Sequence, residues 1–396
     1  MKKLLFLSIL ILSSSTFSQN SEIKPYVDYL KKIEKKSAKD YILQQFQDHD
    51  IVILCERHHS DLSQYELIKE ILSDEYFKNN VKNLFTEIGI INLNPEINNF
   101  LQTKGLDNIY VEKKLSEFQL NASFWALWEN YNYHYLLRTI YDLNNNTDKQ
   151  ISYYPSDVEF DWSQVKNIED YVREQDFEIE QRDSLMAYNI INKYKELKSQ
   201  GNTKALVIMN YRHAFKIHTV SNGIINKNTT KYLFDFFGNR ATNILINPTI
   251  FIKKDKDYVY SLIQNGKWDA SFKYLNIKNV GFDFNNTVFG KDNLDMWENN
   301  SQYKYEDAFD SFVFYKPIEE HNLVPGFEGL IPKDSEEEFF RRFEINLKYN
   351  ENNSLLKKLE NTDFRIKVLK ELNTKRELKY PSFETLIETR DKYLND

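Results

Sequence analysis

The chain has 396 residues, with 52 basic against 59 acidic side chains and a net charge of −7. That acidic balance argues against a nucleic-acid partner, whose phosphates demand a basic stripe. The single cysteine, Cys55, excludes an intramolecular disulfide, so stability must come from packing, for which 15% aromatic residues supply apolar material.

The N-terminus carries an export pattern. Lys2 and Lys3 give a positive start, Leu4 to Leu12 an apolar run, and Ser13 to Ser18 a stretch of small residues. Cleavage is expected between Ser18 and Gln19, which would leave 50 basic against 59 acidic groups. An apolar run of this length is too short for a bilayer, which needs about twenty residues. The reading is therefore an exported protein, periplasmic or extracellular, without stable membrane insertion. No G-x-G-x-x-G, Walker loop, H-E-x-x-H or G-x-S-x-G occurs, which removes the commonest nucleotide, zincin and serine-hydrolase readings.

In chain order, an amphipathic helix is predicted over Val27 to Gln47, then a strand at Ile51-Val52-Ile53-Leu54. Ser60-Asp61 can cap a helix that sets Leu62, Tyr65, Ile68 and Leu72 on one face. A second strand follows at Asn83-Leu84-Phe85-Thr86, and an aromatic-rich helix over Phe124 to Leu143. Asn144 to Thr147 reads as a loop before a third strand at Ile151-Ser152-Tyr153-Tyr154. A long charged helix, Asp176 to Leu197, precedes a fourth strand at Ala205-Leu206-Val207-Ile208. Weaker strand patterns lie at Asn243 to Ile246 and Ser311 to Tyr315. Alternating strands and helices imply an α/β fold in three layers, a mainly parallel sheet flanked by helices, with helical insertions. Residues 1–18 form the signal peptide and 19–334 the α/β domain. Residues 335–396 form an extension of two or three charged helices packed on the core.

Polar groups cluster where strands end. Glu56, His58 and His59 follow the first strand, Glu87 closes the second, Asp157 sits past the third, and His213 comes soon after the fourth. In open parallel sheets the carboxyl ends of the strands share one rim, so these groups should meet. An imidazole paired with a carboxylate can activate water near neutral pH. The same side chains can ligate a divalent metal that polarises a carbonyl. On the charged helix, Arg182, Met186 and Asn189 share one face, which points Arg182 at the rim. His49 and His218 read as surface residues, His134 as packed, and His321 as part of a polar loop. Cys55 reads as a small core residue.

Three segments resemble the superfamily that joins erythromycin esterases, ChaN-type haem-uptake proteins and Tiki proteases. They are Leu54-Cys55-Glu56-Arg57-His58-His59, Phe85-Thr86-Glu87, and Arg182-Asp183 with Met186-Ala187 and Asn189, followed by His213. The likeness spans roughly residues 50 to 220. Cys55 stands where the family has glycine, and Asn210 where erythromycin esterases carry a further histidine. His59 keeps the esterase register and His58 the ChaN register.

The resemblance implies a hydrolase of an ester or amide in a small-molecule or peptide substrate. His59 would be the base, oriented by Glu56 or Glu87, with His213 and Arg182 stabilising the oxyanion. His58, Asp157 and Asp183 are placed as substrate-binding groups. No cofactor is expected in that reading. A Tiki-like alternative takes zinc or manganese on His58, His59, Glu87 and His213, and a third takes haem without catalysis.

Overall fold

All six predicted apolar runs form strands, and their burial explains why. The computed structural model describes residues 20–177, 179–221, 224–254, 257–296 and 301–395. The predicted signal segment lies outside these residues. The strands are β1 (Ile51–Glu56), β2 (Asn83–Ile90), β3 (Ser152–Asp157), β4 (Ala205–Asn210), β5 (His218–Ser221), β6 (Ile224–Lys227), β7 (Ala241–Ile246), β8 (Thr249–Lys254), β9 (Asp257–Leu262), β10 (Asn279–Asp283) and β11 (Ser311–Tyr315). Seven form one sheet in the order β10-β11-β7-β1-β4-β2-β3. Every pairing in it is parallel except that of the edge strand β10 with β11. The fold is α/β, a mainly parallel sheet flanked by helices.

β1 shows how the layers arise. Alternate side chains of a strand point to opposite faces. Ile51, Ile53 and Cys55 pack into one apolar core with Met209, Ala187 and Trp268. Val52 and Leu54 pack into a second with Tyr65, Ile68 and Leu137. A strand buried on both faces has to be apolar at every position, and β1 is until Glu56. Cys55 is fully buried, as expected of a core residue.

The helices depart from expectation at their ends. Val27 to Gln47 is two helices, Lys24–Leu30 and Ala38–Gln45. Lys36 pairs with Gly281 beside the sheet edge, and Ser37 Oγ caps the second helix at Asp40 N (3.1 Å). The aromatic-rich helix begins at Tyr131, not Phe124. Residues 122–129 stay irregular because neighbours satisfy their backbone: Gln119 Nε2 donates to Trp128 O (2.6 Å) and Asn130 O (2.8 Å). That helix also runs on to Asn145, into the predicted loop. The charged helix starts at Arg182, after a single 3₁₀ turn.

Ser60-Asp61 does not cap as predicted. The helix there is Ser63–Ser73, with Leu62 at its N-cap. Asp61 does accept from Ser63 N (3.0 Å), but it is fully buried 3.4 Å from Arg57. Among the described residues the C-terminal extension holds four helices rather than the predicted two or three, Glu336–Tyr349, Asn353–Leu359, Thr362–Leu372 and Phe383–Asp391. Arg342 ties the first of them to the end of the helix Asn108–Asn121 by donating to Leu120 O (2.8 Å) and Asn121 Oδ1 (3.0 Å).

Candidate active site at the carboxyl rim of the sheet

Strands β1, β4, β2 and β3 lie side by side; β1, β4 and β3 end in Glu56, Asn210 and Asp157, and β2 carries Glu87. The connection from β1 runs past β4 to β2, and that from β4 runs back past β1 to β7, so two neighbouring strands lead in opposite directions, the kind of switch point where open sheets bind ligands. Glu87 reaches the rim before its strand ends. The register against β3 shifts between Thr86 and Ile90, and Gly89 adopts φ +106°. A Cβ at Gly89 would come within 2.7 Å of Pro155 Cβ, so only glycine fits this irregularity.

Two imidazoles face Glu87. His59 Nδ1 bonds to Glu56 Oε1, and its Nε2 lies 3.6 Å from Glu87 Oε1. His213 Nδ1 pairs with Asp183 Oδ1 at 2.8 Å, and its Nε2 lies 3.3 Å from the same Glu87 oxygen. Each imidazole is thus oriented by a carboxylate at one nitrogen and presents the other to Glu87. Arg182 holds Asp157 with a two-pronged contact, Nε to Oδ1 at 2.7 Å and Nη2 to Oδ2 at 2.9 Å. Its Nη2 is also 3.5 Å from Glu87. Asn189 on the same helix face donates to Ser156 O (3.1 Å), and Met186 is buried, as their shared spacing predicted.

The electrostatics follow from burial and these neighbours. Burial opposes a charge on His213, but Glu87 and Asp183 outweigh it and push its pKa up to about 10. His59 moves up as well, burial being overcome by Glu56 and Glu87. Burial would raise Glu87, yet His213, His59 and Arg182 hold it well below the usual carboxylate range. His58 goes the other way, down to about 4, through burial and the nearby His59 charge.

Of the eight predicted site residues, His58, His59, Glu87, Asp157, Arg182 and His213 line one cavity of about 330 Å³. Glu56 and Asp183 stand behind it, each holding a histidine. Trp125, Trp128, Tyr211, Phe251 and Tyr260 give the wall an aromatic share, and Arg212 also lines it. His58 Nδ1 is engaged by Ser60, with Oγ at 2.7 Å. The predicted four-ligand metal set therefore needs correcting. Among the described residues, the group whose ligand atoms lie within 4.8 Å of one another is Glu56, His59 and Glu87. His58 and His213 are outside it and Glu56 takes a place. Three such donors fit a divalent ion by type. Against that, the Arg182 guanidinium, 3.5 Å from Glu87, opposes a dication by charge repulsion.

Two supporting assemblies escaped the sequence reading. Tyr65 Oη donates to Glu56 Oε2 (2.7 Å) and accepts from Asn132 Nδ2 (2.8 Å), while Asn132 Oδ1 accepts from Trp128 Nε1 (3.0 Å). Trp128 then packs edge-on against His59, closing a ring around it. His321, placed in a polar loop by sequence, is in fact buried. Its Nε2 bonds to Arg57 and its Nδ1 lies 3.4 Å from Asp61, which also accepts from Tyr380 Oη (3.1 Å). Burial and the Arg57 charge press His321 down to about 3, so it packs as a neutral ring. This assembly anchors the loop that carries His58 and His59.

No family model matches the chain, and no curated protein matches it. Among solved structures, the chain is similar to a succinoglycan biosynthesis protein, at 10% identity and TM-score 0.48, over 76% of this chain and 97% of that one. It is also similar to a mutant of erythromycin esterase EreC in its open conformation, at 10% identity and TM-score 0.46, over 74% and 96%. A Bacillus cereus protein is similar at 13% identity and TM-score 0.43, over 74% and 97%.

Proposed function

We propose that the protein is an exported hydrolase of an ester or amide bond that works without a metal. The observation that carries this reading is the pair of carboxylate-backed imidazoles, His59 and His213, facing Glu87 in one cavity. The resemblance of the Glu56 to His59 and Arg182 to Asn189 segments to erythromycin esterases supports the reaction class.

In this reading Glu87 accepts one proton of a water in hydrogen bond, and His59 Nε2 takes the other as that water attacks the carbonyl. The new C–O bond moves the carbonyl electrons onto oxygen, where cationic His213 and Arg182 stabilise the charge. The intermediate collapses, the C–O or C–N bond to the leaving group breaks, and His59 returns the proton to the departing alcohol or amine. Glu56 keeps Nδ1 protonated, so that Nε2 is the basic nitrogen. The metal-dependent peptidase reading rests on the close Glu56, His59 and Glu87 donors; there the ion would supply Lewis-acid activation of the carbonyl.

A screen of ester and amide substrates on wild type and His59→Ala tests the proposal. Turnover that falls by about 10²- to 10⁴-fold in the variant, the range for a general base, supports it. Equal turnover in the two proteins removes His59 from the reaction.

A further inference from the structure

We propose that one side of the cavity, made by His58, Arg212 and Tyr260, binds a carboxylate carried by the molecule hydrolysed. The inference rests on the hydrolase reading and names its substrate class: esters or amides with an acidic group near the bond that is cut. The three side chains come from separate elements. His58 follows β1, Arg212 lies in the 3₁₀ turn Tyr211–His213 after β4, and Tyr260 belongs to β9. All three line the cavity that holds Glu87, His59 and His213.

Their packing sets them side by side. The Arg212 guanidinium lies over the Phe251 ring, with Cζ 5.4 Å from its centroid. Phe251 packs on Tyr260 at 4.1 Å between centroids, and Tyr260 meets His58 edge-on at 6.4 Å. The Arg212 charge accordingly acts on both His58 and Tyr260. A guanidinium stacked on a ring still points its N–H edge outward, and that edge matches the two oxygens of a carboxylate.

His58 adds a donor of fixed identity. The Ser60 backbone N–H donates to His58 Nδ1 (3.2 Å), with Ser60 Oγ 2.7 Å from the same nitrogen. An N–H can only donate, so Nδ1 is an acceptor and the ring carries its proton on Nε2. Among the described residues, neither His58 Nε2 nor Tyr260 Oη has a hydrogen-bond partner, and neither atom is sealed from solvent.

The carboxylates that line the cavity among the described residues, Glu87 and Asp157, are already held. Glu87 accepts from Asn210 N (2.9 Å) and faces the two imidazoles, while Asp157 is gripped by Arg182. His58, Arg212 and Tyr260 thus present one cation and two neutral donors. Their complement is a group with one negative charge and two acceptor oxygens.

The probe is 4-oxo-4-phenylbutanoate, whose ketone resists hydrolysis, compared with butyrophenone, in which a methyl group replaces the carboxylate. Calorimetric titration of the full protein should show one keto acid bound per chain. Its binding should be about tenfold or more tighter than that of butyrophenone, the gain from charge-assisted hydrogen bonds. Arg212→Gln should remove most of that preference, and Tyr260→Phe a smaller part. Arg212 is exposed and Tyr260→Phe deletes one hydroxyl, so both variants should fold, which thermal melts check. Failure of the keto acid to bind wild type, equal binding of the two probes, or a preference unchanged in folded Arg212→Gln overturns the proposal. A keto-acid preference without turnover of any ester or amide would refute the hydrolase reading alone. Turnover of esters without a keto-acid preference would refute the carboxylate site alone.

Discussion

His59 and His213 address the same oxygen: their Nε2 atoms lie 3.6 and 3.3 Å from Glu87 Oε1. They arrive from different strand ends, and each is backed by its own carboxylate, Glu56 or Asp183. The consequences fall on pH dependence, on the arginine beside them and on the loop that carries His59.

The titration of His213 makes stability depend on pH. A free imidazole titrates near 6.5, whereas folding holds that of His213 at about 10. A raised value means that the fold favours the protonated form. Its stabilisation is complete below about pH 6.5 and is lost as pH rises through about 10. The melting temperature of wild type should fall across that window more steeply than that of His213→Gln. Parallel curves would show that His213 carries no such linkage. Activity should follow a bell. Its acid limb lies above the ordinary imidazole value, because His59 is raised and must lose a proton to act as base. Its alkaline limb follows the loss of charge on His213.

Arg182→Lys keeps a cation but gives up the fork that grips both oxygens of Asp157. With one of two charge-assisted bonds gone, stability should drop by about 1–3 kcal/mol. Turnover should fall too, since Arg182 sits 3.5 Å from Glu87. Chemical denaturation and kinetics of the variant check both, and wild-type values in each would make Arg182 a bystander.

Asp61→Asn tests the buried anchor beneath the histidine loop. Arg57 and Asp61 are both fully buried, and removing one partner strands the other's charge. The expected loss is about 3–5 kcal/mol, typical of a broken buried pair. A denaturation midpoint close to wild type would mean that the loop does not depend on this pair.

The fold was legible wherever burial on both faces forces an unbroken apolar run, as in β1 and β4. The rim residues were legible because parallel strands bring their ends together whatever the sequence distance. β10 escaped because Gly281 interrupts it. That glycine is required by Tyr41, whose ring a Cβ would approach to 2.4 Å. Tyr65, Asn132 and Trp128 escaped because none ionises near neutral pH, and helix spacing marks Tyr65 only as core. His321 looked like a loop residue, since its burial against Arg57 comes from chain 264 residues away. The helix ends were misplaced where side chains such as Gln119 and Asn346 satisfy a backbone that would otherwise coil.

The most direct test of metal-free hydrolysis is turnover of a responsive ester or amide measured with and without a strong chelator. The account predicts equal rates in both arms for wild type and a collapsed rate in both for His59→Ala. Activity abolished by chelator and restored by zinc or manganese would contradict it and assign Glu56, His59 and Glu87 to a metal.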